Sequence, residues 1–299
     1  MAAATESMPD VARGGAGSVT RGGAGSVARG GAGSVARGGA GNASYGDAFA
    51  ALYDRLIAKD YSHAKYARYL DAQIRGHGPR EGASPARRII VADLGCGSGG
   101  ICVELARLGY DMVGIDRSPA MLALAQEKAR AAGVDALFLL QDMRSFELFG
   151  TVGAIVSTID AMNYVTTLAD LRRVFSLAAN YLDPGGVFIF DVNTRYKLES
   201  VMGGETFFDV SDGSCLFWEC GFSPRRAIAT FSITLFARRP DGAYDRHDEL
   251  HRQRAHSPEE LTEAARRSGL SLAAECSFMT ARKATPASMK TCYVFRKDG

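Results

Sequence analysis

The sequence predicts an α/β fold built on a doubly wound, largely parallel sheet. Strand-like and helix-like segments alternate between residues 88 and 191, which is typical of parallel strands joined by right-handed crossovers. A glycine-rich turn follows the first of these strands and opens a helix. From about residue 205 to residue 254, strand-like runs follow one another without helices. This last pattern indicates an antiparallel sheet inserted after the fifth strand.

The N-terminal region begins with a repeat that contains few apolar side chains. The unit Arg-Gly-Gly-Ala-Gly-Ser-Val-Ala recurs every eight residues from Arg13, and such a composition cannot offset the entropy of ordering. We therefore predict a disordered tail over residues 1–43. Apolar residues at helical spacing then predict two helices, Asp47 to Ala58 and Tyr61 to Arg75, within an N-terminal helical segment of residues 44–84.

Five strands are predicted to form the parallel part of the sheet. They are Arg88 to Ala92, Met112 to Ile115, Ala136 to Leu140, Val152 to Ser157 and Gly186 to Asp191. The amphipathic helix between the last two carries apolar residues from Leu168 to Leu182 and is stopped by the Pro184-Gly185-Gly186 sequence. Ligands bind at the carboxyl ends of such strands, so we expect the functional residues at that edge.

The inserted sheet is predicted over residues 205–254. Its strands are Phe207 to Val210, Cys215 to Cys220, Ile228 to Phe236 and Tyr244 to Arg254. A capping box at Ser257 to Glu260, with proline at the first helical position, restarts the main fold. Leu270 to Cys276 and Thr291 to Phe295 are then expected to close the sheet as an antiparallel pair. The main domain is thus assigned to residues 85–204 and 255–299.

The stretch from Val91 to Gly100 is the most informative part of the chain. Its glycines let the backbone approach a ligand closely, and the helix that follows points unpaired N–H groups at the same place. Gly95, Gly97 and Gly100 satisfy the dinucleotide fingerprint G-x-G-x-x-G. The motif alone therefore does not separate a nicotinamide enzyme from other proteins that bind adenosine.

Asp93, at the end of the first strand, bears on the choice of cofactor. A carboxylate at this place would face the pyrophosphate of a dinucleotide, and like charges repel strongly at short range. S-adenosylmethionine has no phosphate, and its methionine end carries an ammonium and a sulfonium group. Asp93 is therefore interpreted as favouring S-adenosylmethionine.

Two further strand ends carry acids. Asp116 ends the second strand and lies 21 residues after Gly95, where an acid can accept hydrogen bonds from both ribose hydroxyls. Gln141-Asp142-Met143 follows the third strand. There Asp142 is predicted to hold the adenine amino group while Met143 packs on the ring.

These residues resemble the class I S-adenosylmethionine-dependent methyltransferases, over roughly Tyr45 to Lys297. Within that superfamily the chain is most similar to small bacterial methyltransferases related to the sugar N,N-dimethyltransferases. The later matches are Asp160 to Tyr164, Leu182 to Asn193 and Tyr196 to Leu198. The resemblance implies a Rossmann-like seven-stranded sheet with the inserted sheet as a substrate lid. The cofactor residues that we predict are Asp93, Gly95, Cys96, Gly97, Asp116, Arg117, Met121, Gln141, Asp142, Met143 and Asp160.

The resemblance also implies that the N-terminal helical segment covers the bound cofactor, with Tyr53 or Tyr61 contacting its methionine part. His251 matches a histidine of the family and is our candidate general base, with Asn163 and Tyr164 as the other catalytic candidates. In some sugar N-methyltransferases a histidine follows the fourth strand, and this chain has Asn163-Tyr164 there, so that base is not carried over.

The inserted sheet would hang over the methyl group and is expected to set substrate specificity. Trp218 and Glu219 are predicted to line the acceptor pocket, where an aromatic wall and a carboxylate would suit an amine or a polyol. Trp218 has the alternative of being core of the lid. His247 and His251 lie four residues apart with Asp245 and Glu249 nearby. No further ligand is placed by the sequence, so we predict no metal.

Composition limits the classes of partner. The 299-residue chain has a net charge of +2, and the arginines of the tail account for that excess. A neutral main body argues against nucleic acid, whose binding needs clustered Lys and Arg. The six cysteines contain no C-x-x-C pair, no apolar run approaches the roughly 18 residues of a membrane span, and no secretory signal is present. We expect a cytoplasmic monomer or homodimer that acts on a small molecule.

The sequence therefore predicts methyl transfer from S-adenosylmethionine to a nitrogen or oxygen of a small-molecule acceptor. Two alternatives stay open at this point. One is a nicotinamide-dependent oxidoreductase that uses the same glycine fingerprint. The other is a cofactor-binding regulator or adaptor that has no catalytic activity.

Overall fold

The computed structural model describes residues 50, 62–79, 88–211 and 213–298. The predicted tail, the first predicted helix (except Ala50), Tyr53 and Tyr61 lie outside the described residues. The main helices are α1 (His63–His77), α2 (Gly100–Arg107), α3 (Pro119–Ala132), α4 (Leu168–Tyr181) and α5 (Pro258–Arg267). The strands are β1 (Ile90–Leu94), β2 (Asp111–Asp116), β3 (Ala136–Leu140), β4 (Val152–Ser157), β5 (Leu182–Asn193), β6 (Thr206–Ser211), β7 (Ser214–Ser223), β8 (Ile228–Arg238), β9 (Tyr244–Arg254), β10 (Leu270–Ser277) and β11 (Lys290–Lys297). A 3₁₀ helix (Ala161–Tyr164) and a π-helix (Tyr196–Val201) complete the described elements.

Seven strands form the central sheet, in the order β10-β11-β5-β4-β1-β2-β3. Strands β1 to β5 run parallel to one another. Strand β11 runs antiparallel to both β5 and β10, which confirms the predicted closing pair. The carboxyl ends of β1 to β5 consequently lie along one edge.

Helices cover both faces of this sheet. Tyr66, Leu70, Ile101, Leu105 and Leu122, from α1 to α3, share one buried cluster with the sheet. On the opposite face, residues of α4 and α5 form another cluster, in which Phe175 makes edge-to-face contacts with Phe188, Phe190 and Phe295. The predicted doubly wound α/β fold is therefore confirmed.

Two predicted boundaries differ from the structure for local reasons. Helix α1 begins at His63 rather than Tyr61 because Ser62 is its N-cap and accepts a hydrogen bond from the Lys65 backbone N–H. Strand β5 begins at Leu182 rather than Gly186. Leu182 pairs with Val152, and the Pro-Gly-Gly sequence that predicted a stop lies opposite an irregularity in β4.

A second sheet, of order β6-β7-β8-β9, follows the π-helix and is antiparallel throughout. One of its faces has its own buried cluster, built from residues such as Leu216, Phe231, Ile233 and Leu235 with Leu198 of the π-helix. Ser257 and Glu260 then form the predicted capping box at the start of α5. Among the helices that the structure describes, none is long and apolar enough to cross a membrane.

Candidate active site

A cavity of about 300 Å³ opens at the carboxyl edge of the central sheet. Nine predicted site residues line it: Gly95, Gly97, Asp116, Arg117, Met121, Gln141, Asp142, Met143 and Tyr164. Further lining residues that the sequence reasoning missed are Ile115, Ser118, Arg144, Thr158, Ile159, Ala161, Val165, Thr166, Thr167 and Asp170. The structure thus brings together the glycine turn and the acids of β2 and β3.

The glycine turn has the backbone conformation that the motif predicts. Gly95 has φ +75° and Gly97 has φ +53°, a region in which a side chain is strained. A Cβ added at Gly95 would lie 2.9 Å from Cβ of Ala161 and 3.1 Å from Cε of Met143. Glycine is therefore needed here both for the turn and for the space beside the cavity.

Substituting Gly95→Ala will weaken binding of S-adenosylmethionine by at least about tenfold, because the methyl group adds backbone strain of roughly 1–2 kcal/mol and displaces Ala161 or Met143. Isothermal titration calorimetry measures this. The matched control is Gly109→Ala, since Gly109 has φ +98° but nothing within 4 Å of the added Cβ. Equal affinity in the two variants would contradict the prediction.

Asp116 lies at the end of β2 with both carboxylate oxygens oriented by the backbone. Its Oδ2 accepts a hydrogen bond from the Gly97 N–H at 2.9 Å, and its Oδ1 accepts one from the Ser118 N–H at 2.8 Å. Burial raises the pKa of Asp116, while these two backbone donors lower it. Each oxygen keeps a second lone pair, so the geometry suits the predicted pair of ribose hydroxyls.

Asp142 lies in the same cavity but is already bound by a neighbour. The Arg144 guanidinium donates to its two oxygens at 2.9 and 2.6 Å, and this hydrogen bonding is the main reason that the pKa of Asp142 is lowered. Gln141 exchanges hydrogen bonds with the backbone of Glu147 and so fixes the loop after β3. Arg144 therefore orients the acid that we predict to hold adenine.

Asp93 does not line the cavity. Its side chain is completely buried behind the glycine turn, where one oxygen accepts a hydrogen bond from the Cys102 thiol at 3.4 Å and the other has no partner among the described residues. Burial is the main cause that raises its pKa from 3.8 to about 7. The direct attraction to a cationic ligand that we inferred from sequence is not supported by this position.

Replacing Asp93 with asparagine will change how stability depends on pH. In the parent, a carboxyl with a raised pKa keeps its proton in the folded state, so the free energy of unfolding falls as pH rises from about 4 to about 7. The expected slope is about 1.4 kcal/mol per pH unit. Asp93→Asn lacks this contribution.

Urea unfolding at several pH values measures the difference between parent and variant. Taking the difference cancels other titrating groups, such as His256, whose pKa burial lowers to about 4. Exposed Asp111→Asn is the control and should parallel the parent. Parallel curves for Asp93→Asn as well would contradict the prediction.

Cys96 belongs to the turn but is buried and is not among the described residues that line the cavity. A hydrogen bond with Cys102 lowers its pKa, but burial and the Asp93 carboxyl outweigh that effect, so the pKa of Cys96 is raised. The thiol is therefore protonated and unreactive at neutral pH.

Asp160 belongs to a buried ionic cluster that fixes the turn after β4. Lys290 Nζ lies 2.7 Å from Asp160 Oδ1 and 3.0 Å from Asp191 Oδ2. Asp191 accepts hydrogen bonds from the backbone N–H groups of Ile159 and Asp160, both of which have positive φ, and from the Tyr66 hydroxyl. This cluster holds the turn whose backbone borders the cavity. The carboxylate of Asp160 itself is not among the described lining groups.

Asn163 is occupied with structural hydrogen bonds. Its amide nitrogen donates to the backbone oxygens of Asn193 and Arg254 at 3.0 and 2.8 Å, and its amide oxygen accepts from the Asn193 N–H at 2.9 Å. The side chain is completely buried. This position does not support the catalytic role predicted for Asn163.

The other two catalytic candidates are joined in one chain of hydrogen bonds. The Tyr164 hydroxyl lies 2.8 Å from Nδ1 of His251, and Nε2 of His251 lies 2.7 Å from Oε2 of Glu249. Tyr164 lines the cavity, whereas His251 is buried behind it. The sequence analysis gave Glu249 no catalytic role, although its two-residue spacing from His251 on one strand places both on the same face.

The two predicted substrate residues are not brought to the cavity. Trp218 packs edge-to-face on Phe231, with ring centroids 5.6 Å apart, inside the cluster of the second sheet. This is the alternative considered above, namely core of the lid. Glu219 follows on the opposite face of β7 and is exposed.

Asp191 and Lys290 are the other functional residues that sequence reasoning did not select. Asp191 carried a usable signal, since it lies near the carboxyl end of β5 as Asp93, Asp116 and Asp142 do on theirs. Lys290 carried none, because it is 99 residues away from Asp191 and only the antiparallel pairing of β11 with β5 brings the two together.

Known proteins match this chain in sequence and in structure. A family model described as a methyltransferase domain matches residues 91–186. A protein of Bacillus subtilis (strain 168) that is named as a methyltransferase, YqeM, is 32% identical over 215 residues, which cover 71% of this chain and 82% of the relative.

Solved structures share the architecture. An S-adenosylmethionine-dependent methyltransferase from Clostridium acetobutylicum ATCC 824 has a TM-score of 0.75 and 26% identity, and the match covers 85% of this chain and 99% of that one. The sugar N-methyltransferase KedS8 from Streptoalloteichus sp ATCC 53650 has a TM-score of 0.69 and 19% identity, over 92% of this chain and all of that one. At that identity, the second likeness shows the fold alone.

Proposed function

Since the chain belongs to the S-adenosylmethionine-dependent methyltransferases, we propose that it transfers the methyl group to a nitrogen or oxygen of a small-molecule acceptor. One observation carries the proposal. A single cavity is lined by Gly95 and Asp116, at the proposed cofactor end, and by Tyr164. A polar side chain thus borders the space beyond the predicted cofactor residues.

The residues of this chain would act mainly by alignment. S-adenosylmethionine supplies an already activated methyl group on its sulfonium, so positioning the acceptor in line can be worth about 7 to 11 kcal/mol of barrier. In this proposal Asp116 accepts the ribose hydroxyls, Asp142 holds the adenine amino group and Met143 packs on the ring. The glycine turn lets the backbone approach the ligand closely.

The acceptor is proposed to be small. The cavity at the sheet edge has a volume of about 300 Å³, and pockets of this size are typical of small-molecule sites. The neutral charge of the chain beyond its tail argues against nucleic acid. KedS8 is a sugar N-methyltransferase, which makes amine-bearing sugars a first class of acceptor to test, with phenols and other hydroxyl compounds as the second.

The test is an acceptor screen with the purified full-length protein. We expect S-adenosylhomocysteine and a methylated product, both detected by mass spectrometry, with at least one amine or hydroxyl compound. Omission of the acceptor controls for slow cofactor hydrolysis. Methylation of oligonucleotides or proteins alone would reject the small-molecule assignment. Light scattering would test the accompanying proposal of a monomer or homodimer, and cell fractionation the proposed cytoplasmic location.

A further inference from the structure

Arg144 occupies most of the hydrogen-bonding capacity of Asp142. Oδ1 of Asp142 accepts hydrogen bonds from the backbone N–H of Arg144 and from its Nε, both at 2.9 Å. Oδ2 accepts one from Nη2 of Arg144 at 2.6 Å. Since a carboxylate oxygen has two lone pairs, Oδ1 has none left. A ligand that binds the Asp142 carboxylate therefore binds the one remaining lone pair of Oδ2.

Arg144 is itself held in place by helix α4. Its Nη1 lies 3.8 Å from Oδ2 of Asp170, in the first turn of that helix, and the Thr167 hydroxyl donates to the same oxygen at 2.8 Å. The backbone oxygen of Arg144 accepts a hydrogen bond from Nε of Arg173 at 2.6 Å. The guanidinium is thus anchored on both sides and holds the Asp142 carboxylate in one orientation.

In this orientation Asp142 is an acceptor and not a donor. Hydrogen bonding from Arg144 is the main reason that the pKa of Asp142 is lowered, so the carboxyl is ionised at neutral pH and only accepts hydrogen bonds. The 6-amino group of adenine is a donor. The 6-oxo group of hypoxanthine is an acceptor, and it would face the carboxylate with a partial charge of the same sign.

The orientation of Asp142 matters because a 6-oxo purine has a donor of its own. Its N1 atom carries a proton, whereas N1 of adenine does not. A carboxylate that is free to turn can accept a hydrogen bond from the 6-amino group of adenine or from N1–H of the 6-oxo base. A carboxylate with one available lone pair in a fixed direction can serve only one of these positions.

From this geometry, and on the basis of the cofactor site proposed above, we infer that Arg144 is a specificity-determining residue, which by clamping Asp142 makes the site select a 6-amino purine nucleoside over a 6-oxo one. Asp142 would touch the base. Arg144 acts through Asp142 and is a positioning residue. The selection concerns the nucleoside end of the cavity and does not depend on which acceptor is methylated.

Binding of two matched nucleosides tests the inference. S-adenosylhomocysteine and S-inosylhomocysteine differ only in the 6-amino or 6-oxo group and the N1 proton, and isothermal titration calorimetry of the full chain gives Kd for each. The parent should bind the adenosyl compound at least about tenfold more tightly, because one hydrogen bond to a charged group is at stake. In Arg144→Met this ratio should fall below about threefold.

Two further arginine variants separate the clamp from charge and from general effects. Arg144→Lys keeps the positive charge but lacks the planar fork that binds both carboxylate oxygens, so it should lose most of the selectivity as well. Arg107→Met is the matched control. Arg107 is an exposed arginine that lies 2.6 Å from Glu104 and is not among the described residues that line the cavity, so the variant should keep the parent ratio.

Asp142→Asn gives a change that a general loss of folding cannot produce. With Arg144 present, the two donors at the Oδ1 position hold the amide oxygen there, and the amide nitrogen takes the place of Oδ2. The side chain then presents a donor to the base, so the preference should shift toward the 6-oxo compound. If Arg144→Met binds neither compound, Arg144→Lys and Asp142→Asn decide the question.

The outcomes distinguish this inference from the proposed site on which it rests. An equal loss of affinity for both compounds in the Arg144 variants, with the parent ratio kept, would mean that Arg144 only supports the fold and would overturn the inference. If Asp142→Asn loses the selectivity while both Arg144 variants keep it, the contact of Asp142 with adenine stands and the role of Arg144 is wrong. If the parent binds both compounds equally, the proposed contact of Asp142 with adenine has failed, and the inference fails with it.

Discussion

Replacing Asp116 with alanine will remove most of the affinity for S-adenosylmethionine. Hydrogen bonds to a charged group contribute about 1.5–3 kcal/mol each, so losing two from the ribose hydroxyls should weaken binding by at least about 100-fold. The substitution also removes the acceptors for the Gly97 and Ser118 N–H groups, which shape the glycine turn. Isothermal titration calorimetry with S-adenosylmethionine and with S-adenosylhomocysteine measures the loss.

Two further variants make the Asp116 experiment decisive. Asp111→Ala lies at the other end of β2 and is exposed, so it should bind like the parent. Asp116→Asn keeps one acceptor oxygen and should fall between the parent and Asp116→Ala. An affinity of Asp116→Ala within threefold of the parent would place the ribose elsewhere and remove the basis of the cofactor site.

Replacing Lys290 with methionine will produce a large loss of stability. Lys290 is 4% exposed and is the cation that contacts both Asp160 and Asp191. Breaking a buried ion pair by removing one partner typically costs about 3–5 kcal/mol, because the remaining charge stays buried without compensation. Urea or thermal unfolding of the full chain measures the free energy of unfolding.

A second substitution separates the effect of charge pairing on the free energy of unfolding from the effect of packing. Asp160→Asn in the Lys290→Met background removes one of the two uncompensated charges, so we expect part of the stability to return. Arg296→Met, on the same strand but exposed, should stay within about 0.5 kcal/mol of the parent. A loss below 1 kcal/mol for Lys290→Met, or no recovery in the double variant, would mean that charge compensation contributes little here.

Local sequence patterns predicted the strands of the fold and, within the candidate site, the glycine turn and Asp116. Period-two and helical spacings placed the strands within a few residues, and β3 and β4 have the predicted limits. The glycine turn was predictable because its backbone conformation favours glycine. Asp116 was predictable from its position at the end of a strand, a fixed number of residues after that turn. Both signals lie within short stretches of chain, where sequence spacing and spatial distance agree.

The remaining site depends on contacts between distant segments. Tyr164 and His251 are 87 residues apart, and their contact depends on the register in which β9 pairs with β8. Asp93 illustrates the same dependence on distant packing. Its position at a strand end was predicted correctly, but whether its carboxylate faced the cavity depended on the packing of Cys102 behind the turn, which no local pattern encodes.

Asn163 has a consequence for how this enzyme could change over evolution. By holding the backbone of Asn193 and of Arg254 with one side chain, it brings the start and the finish of the inserted segment to a single point on the central fold. Exchanging that segment for another of different length would leave the ends where they are and would add little loop-closure entropy. On the sequence prediction that this segment sets substrate specificity, acceptor preference could diverge by segment replacement while the predicted cofactor residues stayed unaltered.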